Sequence, residues 1–502
     1  MRLVPIVWTL RVEPVETADR VPLFHHERHL PMSNVRDYGA AGDGQTDDTG
    51  AIQHALADGE GLIEFPRGDY RITKPIVVDL AKFSRTAIRG GGGTAKLIMA
   101  GKGPALFFAG SHDKSADPKG FKPEIWQRER MPLLSDIEIT GDHPEADGIR
   151  LEGVMQPTLT GVLIRKVRNA IHVTRRSRNV LISHCHIYQN TGIGVFLDHC
   201  NLHQTIITGN HISYCRLGGI RIQGGEIRNF QVTGNDIEYN NNAAFGVPNA
   251  DSEPTAEIYI DVEDGTVREG TICSNTIQAT YSPNGANIRF IGSGSKGNHR
   301  AGMWTIAGNL IGSQATNIHL TSALGFAISG NYIYSGHERN IVIEGSRSIA
   351  IGANTLGHNP DYGDKELSTG IRFVDCEDCT VTGLIIQDAL AGQSTVTGAV
   401  TSKKDGLIEL VRCRRMNLTG CQIFEGTPNG LVLEDCADTL VSGCTVLDRR
   451  SPRLMEHAIV WRDTAKPTTG NLIHGCRIGT GRRGNLSGTN RAGIRVSENV
   501  LD

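Results

Sequence analysis

The chain has 502 residues, of which 60 are glycine and only 5% aromatic, and its formal net charge is −3. That balance excludes the broad basic footprint of a nucleic-acid binder, and no apolar run approaches the ~20 residues of a membrane-spanning helix. The length is large for one globular core but suits a solenoid, which grows longer without growing thicker.

The N-terminus carries Arg2 and an apolar run from Leu3 to Leu10 that Pro5 interrupts, with no small-residue cleavage site at a useful distance. It reads as a poor secretory signal, and residues 1–33 as an extension or arm. Residues 34–80 follow as NVRDYGAAGDGQTDDTGAIQHALADGEGLIEFPRGDYRITKPIVV and onward. Gly-Asp-Gly predicts a turn. Asp47 is placed to cap a helix running through Ala57, whose apolar face is Ile52, Ala55 and Leu56 and which Gly59 and Gly61 end. Leu62 to Phe65 then start the first strand. A helix here would cover the open end of a stack of strands.

From residue 147 two motifs alternate. One is small-Asn-x-Ile after an apolar residue, as in IITGNHI at Asn210, QVTGNDI at Asn235, TICSNTI at Asn275, TIAGNLI at Asn309 and AISGNYI at Asn331, with cysteine in the Asn position at Cys185, Cys421, Cys444 and Cys476. The other is a short alternating strand, as in DGIRLEG from Asp147, GGIRIQG from Gly218 and AEIYIDV from Ala256. Copies separated by roughly 25 residues lie within the solenoid range. Strand-length segments with no helical period make each repeat one coil of a single-stranded right-handed parallel β-helix, an all-β fold spanning 34–502. Inward Asn and Cys positions should form ladders, which makes the cysteines buried thiols rather than a disulfide framework or a zinc site. With the poor signal, the reduced-looking cysteines favour a cytoplasmic location.

The signature at 34–80 closely resembles the N-terminal region of the pectate lyase superfamily, whose relatives include polygalacturonases of glycoside hydrolase family 28, alginate epimerases and phage tailspike depolymerases. The resemblance implies a right-handed β-helix and polysaccharide chemistry without fixing one reaction, and it also admits a homotrimer. The polygalacturonase pattern is only partly kept. Asp147 and Arg221 remain in Glu-Ala-Asp-Gly and Arg221-Ile222-Gln223. Arg168 and Asn169 stand where paired aspartates belong, and Gly192-Ile193-Gly194 lacks the histidine. Unaltered polygalacturonase chemistry is therefore not expected.

Three stretches break the coil spacing: 109–132, with Phe121 and Trp126 available for sugar stacking, 239–257 and 262–270. Long loops on a regular scaffold tend to carry function. Between them the outward residues of the second strand form two columns. One reads Arg150, His172, Phe196, Arg221, Tyr259, Arg289, His319; its neighbour reads Glu152, Thr174, Asp198, Gln223, Asp261, Ile291, Thr321, Glu344. Such a strip fits a uronate-containing polysaccharide or oligosaccharide. Arg150, Arg221 and Arg289 are placed to pair substrate carboxylates, with Glu152, Gln223, His319 and Trp126 completing the binding set. For β-elimination, Arg221, Tyr259, Asp261 and His172 would supply neutralisation and a base. For hydrolysis, Asp198 and Asp261 would be the acid and base. The same carboxylates are candidates to hold a Ca²⁺ that bridges to uronates. A lyase is favoured over a hydrolase, and a non-catalytic glycan-binding or tailspike-like module is the reading from another class. On the opposite face His186, His211 and Asp236 align as a competing cluster.

Overall fold

A computed structural model of the chain describes residues 33–114, 122–246, 255–362, 370–388 and 404–502. The expected N-terminal extension lies outside the described residues apart from Ser33, as do Phe121 and the centre of the 239–257 excursion. The strands pair in parallel, with identical coil positions one above another. Ile149, Ile171, Val195, Ile220, Ile258, Ile288, Ile318 and Ile341 stack in one ladder. Ile164, Ile187, Ile212, Ile237, Ile277 and Ile311 stack in a second. Ile182, Ile207, Val232, Ile272, Ile306 and Ile328 form a third. These residues are buried, because their side chains share the strand face that is turned into the coil. The molecule is the expected right-handed parallel β-helix.

Each coil has three strands where the sequence shows two motifs. The small-Asn-x-Ile motif is two strands meeting at a corner: Glu226–Thr233 ends before Asn235, and Asp236–Glu238 begins after it. At that corner the Asn ladder forms. Asn235 Oδ1 accepts from the backbone N and the Nδ2 of Asn210 at 3.0 and 2.9 Å, and Asn235 Nδ2 donates to Asn275 Oδ1 and to the Ile207 carbonyl, both at 3.0 Å. Asn275, Asn309, Asn331 and Asn354 repeat the arrangement. A buried corner leaves backbone groups without strand partners, and the amide supplies both a donor and an acceptor to them. Cys185, Cys421, Cys444 and Cys476 are buried free thiols, and Cys185 N donates to Asn210 Oδ1 at the head of the ladder.

The helix spans Thr49–Asp58 and buries Ile52, Ala55 and Leu56 as expected. Its capping differs. The N-cap is Asp48, whose carboxylate turns away from the helix to accept from Ala41 N at 2.7 Å and Gly42 N at 3.0 Å, pinning the preceding glycine turn. Asp47 accepts from Thr49 N and from Thr73 Oγ1. On the other side of the helix Gln53 meets the backbone of the edge strand Ile76–Asp79: Nε2 donates to the Val77 carbonyl and Oε1 accepts Val77 N, both at 3.0 Å. The helix thus closes the unpaired edge chemically as well as sterically.

The excursion expected at 262–270 reduces to a turn at 262–265, because Thr266–Cys273 is already a strand in register with Glu226–Thr233. That turn is two residues longer than its predecessor at 224–225, and those two residues shape the site. Among the described residues no helix is long and apolar enough to cross a membrane.

Candidate functional site

The two outward columns are in register. Arg150, His172, Phe196, Arg221, Tyr259, Arg289 and His319 are successive partners, as are Glu152, Thr174, Asp198, Gln223, Asp261, Ile291, Thr321 and Glu344. Beside them runs a third column that the sequence reading missed, the corner residues between the second and third strands. Arg175, His199, Gly224 and Glu263 all have positive φ (58°, 48°, 61° and 43°), a left-handed kink that throws each side chain outward beside the strip.

These three columns meet in one hydrogen-bonded chain. His172 Nε2 lies 3.1 Å from Asp198 Oδ2, and His199 Nδ1 lies 2.7 Å from Asp198 Oδ1. The other ring nitrogen of His199 lies 2.9 Å from Glu263 Oε2, and Gln223 Nε2 donates to Glu263 Oε1 at 2.7 Å. Glu263 N donates to Asp261 Oδ1 at 3.0 Å. His199 and Glu263 sit two coils apart, and the coil between them contributes Gly224. A Cβ at that position would meet the His199 ring at 2.7 Å and Glu263 at 3.3 Å. The missing side chain is what lets the carboxylate cross, and the longer turn at 262–265 is what lifts Glu263 far enough to do so.

The electrostatics differ along the chain. Burial opposes ionisation of Asp198, but hydrogen bonds from His199 and His172 outweigh it and hold the carboxyl below the usual range. The hydrogen bond to Asp198, reinforced by Glu263, raises the His199 imidazole. Asp261 goes the other way: burial raises it and outweighs the hydrogen bond from Glu263 N, which lowers it, while the Glu263 carboxylate adds to the rise and Arg221 opposes it. Asp198 and Asp261 are both strand neighbours of Gln223, so their Cα atoms stand about 9.6 Å apart.

The remaining expected residues divide into those facing the groove and those in supporting positions. Glu152 accepts from Arg150 at 2.8 Å and from Arg175 at 2.7 Å, and Arg150 lies over the Phe107 ring. His172 is stacked on Phe196, centroids 5.0 Å apart. Tyr259 is only 8% exposed and lies under the Arg221 guanidinium, 4.9 Å from ring centroid to Cζ. Its ring forms the surface beneath that guanidinium. Arg289 is likewise 8% exposed, and His319 pairs with Glu344 at 2.9 Å. Trp126 is exposed on the helical turn Ile125–Glu129, and Glu129 of that turn accepts from Ser111 N at 2.7 Å at the edge of the groove's depression. That depression, about 510 Å³, is lined by Ser111, His112, Glu152, Arg175, His199 and Asn201 among others. Asp147 is clamped by Arg168 at 2.9 and 2.6 Å and by Asn169 N at 3.0 Å, so the residues replacing the missing aspartates lock the one that remains.

On the competing face His186 and His211 stack 5.0 Å apart and His211 Nδ1 lies 3.2 Å from Asp236. Beside them burial and the neighbouring Asp236 push Glu238 up to about 7. Among the described residues no group of three or more His, Cys, Asp or Glu side chains is placed to hold a metal ion.

A solenoid with a carboxylate-and-arginine groove along its coils defines a class of right-handed β-helix proteins. Comparison with known families agrees. Residues 32–125 match the family described as "Rhamnogalacturonase A/epimerase, pectate lyase-like", and residues 126–261 match the right-handed β-helix region. These two matches support the pectate lyase-like superfamily. Among curated proteins, 57 residues are 46% identical to the non-secreted LysM effector LysM19 of Penicillium expansum, covering 9% of this chain and 4% of that protein. A further 72 residues are 35% identical to a glucan 1,3-beta-glucosidase of Cochliobolus carbonum, covering 12% of this chain and 9% of that protein. The chain thus matches only a small part of the length of these relatives. Among solved structures, the Dettilon tailspike protein aligns over 93% of this chain and 70% of its own at 16% identity and TM-score 0.46. The A-module of the mannuronan C-5 epimerase AlgE6 of Azotobacter vinelandii aligns over 93% and 99% at 13% identity and TM-score 0.36. Both are likenesses of winding alone.

Proposed function

We propose that the chain is a polysaccharide-cleaving enzyme that acts on an acidic, uronate-containing glycan laid along the groove, with Asp198 and Asp261 as its carboxylate pair. The observation that carries this reading is the opposite displacement of the two ionisations on one column, one lowered by two histidines and the other raised by burial. Environments that push two titratable groups apart are how a site keeps one carboxylate as base and one carboxyl as acid at a single pH. In this reading Asp198 activates water, Asp261 protonates the leaving oxygen, and His172 and His199 hold Asp198 ionised. A separation of about 9.6 Å between backbone positions sits at the upper edge of the range for inverting hydrolysis, roughly 6.5–9.5 Å between carboxyl groups.

A second reading, β-elimination, is supported by Arg221. Its guanidinium lies over the Tyr259 ring, and its Nε is buried without a hydrogen-bond partner among the described residues. Such a group would neutralise a substrate carboxylate and acidify the neighbouring carbon, with His172 as the base in place of the buried Tyr259.

Incubation with a panel of polyuronates separates the two. New reducing ends without ultraviolet absorbance support hydrolysis; an absorbing unsaturated product supports elimination. Binding without any product would make the chain a glycan-binding module and overturn both. Asp261→Asn should abolish cleavage while leaving the melting temperature nearly unchanged, because the amide oxygen can still accept Glu263 N.

A further inference from the structure

From one to four coils beyond Asp261 the same strip opens into a second, smaller recess of about 190 Å³, lined by Arg289, His319, Arg339, Glu344 and Arg372 among others. It lies outside the hydrogen-bonded chain described above, and its charges are arranged differently. Arg339 is buried and paired with Glu409 at 3.0 Å, and Arg372 also approaches Glu409, at 3.5 Å. Glu344 is engaged by His319, whose hydrogen bond holds it below the usual carboxylate range. Glu338, the other carboxylate of the lining, stands near Tyr281, whose phenol is raised by burial and by that charge.

Arg289 is left over. It is 8% exposed, and among the described residues its one hydrogen bond goes from Nη2 to the Asn284 carbonyl while its Nε is buried without a partner. Glu344 is near enough to favour its charge, but no carboxylate of the described residues lies within 4 Å of it. Burying a guanidinium that pairs with no anion is costly. A site that tolerates the cost, beside an open recess and in line with a substrate groove, is built to receive the missing anion.

We propose that this recess is an oxyanion subsite, in which Arg289, assisted by Arg372, holds a carboxylate or sulfate borne on a sugar of the bound chain. Arg289 stands one coil, about 4.8 Å, beyond the coil of Tyr259 and Asp261, so the substrate is then anionic at a unit next to the cleavage point. The proposal rests on the groove being the glycan site, so its test reads binding apart from cleavage.

In an Asp261→Asn background, titration calorimetry would be run with oligogalacturonate, oligoalginate, a sulfated glucan oligomer and the matching neutral glucan. We expect at least one anionic oligomer to bind well above the neutral one. Arg289→Gln should weaken that binding by roughly thirty-fold or more while leaving neutral-glucan binding unaltered. Preference for the uronates assigns a carboxylate, and preference for the sulfated glucan assigns a sulfate ester. Arg372→Gln, at a half-exposed position, should weaken the same ligand with no change in melting temperature and guards against misfolding of the Arg289 variant. Equal affinity for neutral and anionic oligomers, or anionic binding unchanged in both variants, overturns the subsite. Failure of the parent protein to cleave any of these glycans would count against the proposed reaction alone.

Discussion

At the scale of single residues, the site is governed by what stands beside each carboxyl. Asp198 is lowered and Asp261 raised. If Asp198 must be ionised and Asp261 protonated, kcat/KM rises as the pH passes the low value of Asp198 and falls as it passes the raised value of Asp261. The expected profile is a bell whose acid limb follows Asp198 and whose alkaline limb follows Asp261, whereas a profile that only climbs with pH would support elimination. A structural carboxyl gives a separate pH effect. Glu257 is wholly buried against Asn240, and burial pushes it from 4.5 up to about 8. Its native pKa exceeds its unfolded one, so the native state holds the extra proton between those values. Stability from this group is therefore complete below about 4.5 and lost as the pH rises through 8. Glu257→Gln should flatten the fall of melting temperature over that window; an unchanged slope would assign it to other groups.

At the scale of elements, corners and caps carry the specificity that strands lack. Asn235 makes four hydrogen bonds at one buried corner. Asn235→Ala strands donors and acceptors in two neighbouring coils and should cost about 3 kcal/mol, read by chemical denaturation. Gln53 ties the capping helix to the first edge strand by two hydrogen bonds. Gln53→Ala should cost about 1 kcal/mol and speed hydrogen exchange at the Val77 amide, leaving central coils protected. The corner at Gly224 is a third case. Gly224→Ala should drive His199 from Glu263, returning the imidazole toward its ordinary pKa, a change visible in an NMR titration of the ring protons. An unchanged His199 titration would mean that Asp198 alone sets its ionisation.

At the scale of the whole molecule, winding turns sequence distance into position along an axis. Asp261 and Glu344 are 83 residues apart in number and three coils apart in the stack. Arg289 is only one coil beyond Asp261, so a substrate that ends at the cleaved unit should show the same kcat/KM in wild type and in Arg289→Gln, and substrates extended past it into the recess should show the loss. Loss at every length would place Arg289 in the general stability of the groove. The repeat and its registers were legible in the chain because strand alternation and the recurring Asn-x-Ile corner are local patterns. The two outward columns followed from them, including Asp198, Arg221 and Asp261. His199 and Glu263 were not legible. They belong to the corner column, whose outward direction comes from a left-handed backbone kink, and they meet only because Gly224 is bare and the next turn is two residues longer. Nor did the alternation reveal that Tyr259, outward by pattern, would be roofed by Arg221, since burial on an outer face depends on the coil next door. By itself the sequence determined the coil, the inward core and the ladders, which are set by contacts between identical positions. Only the tertiary structure decided which outward charges pair, which are covered and which are left facing the groove, because those outcomes depend on side chains from different coils meeting across the strand spacing.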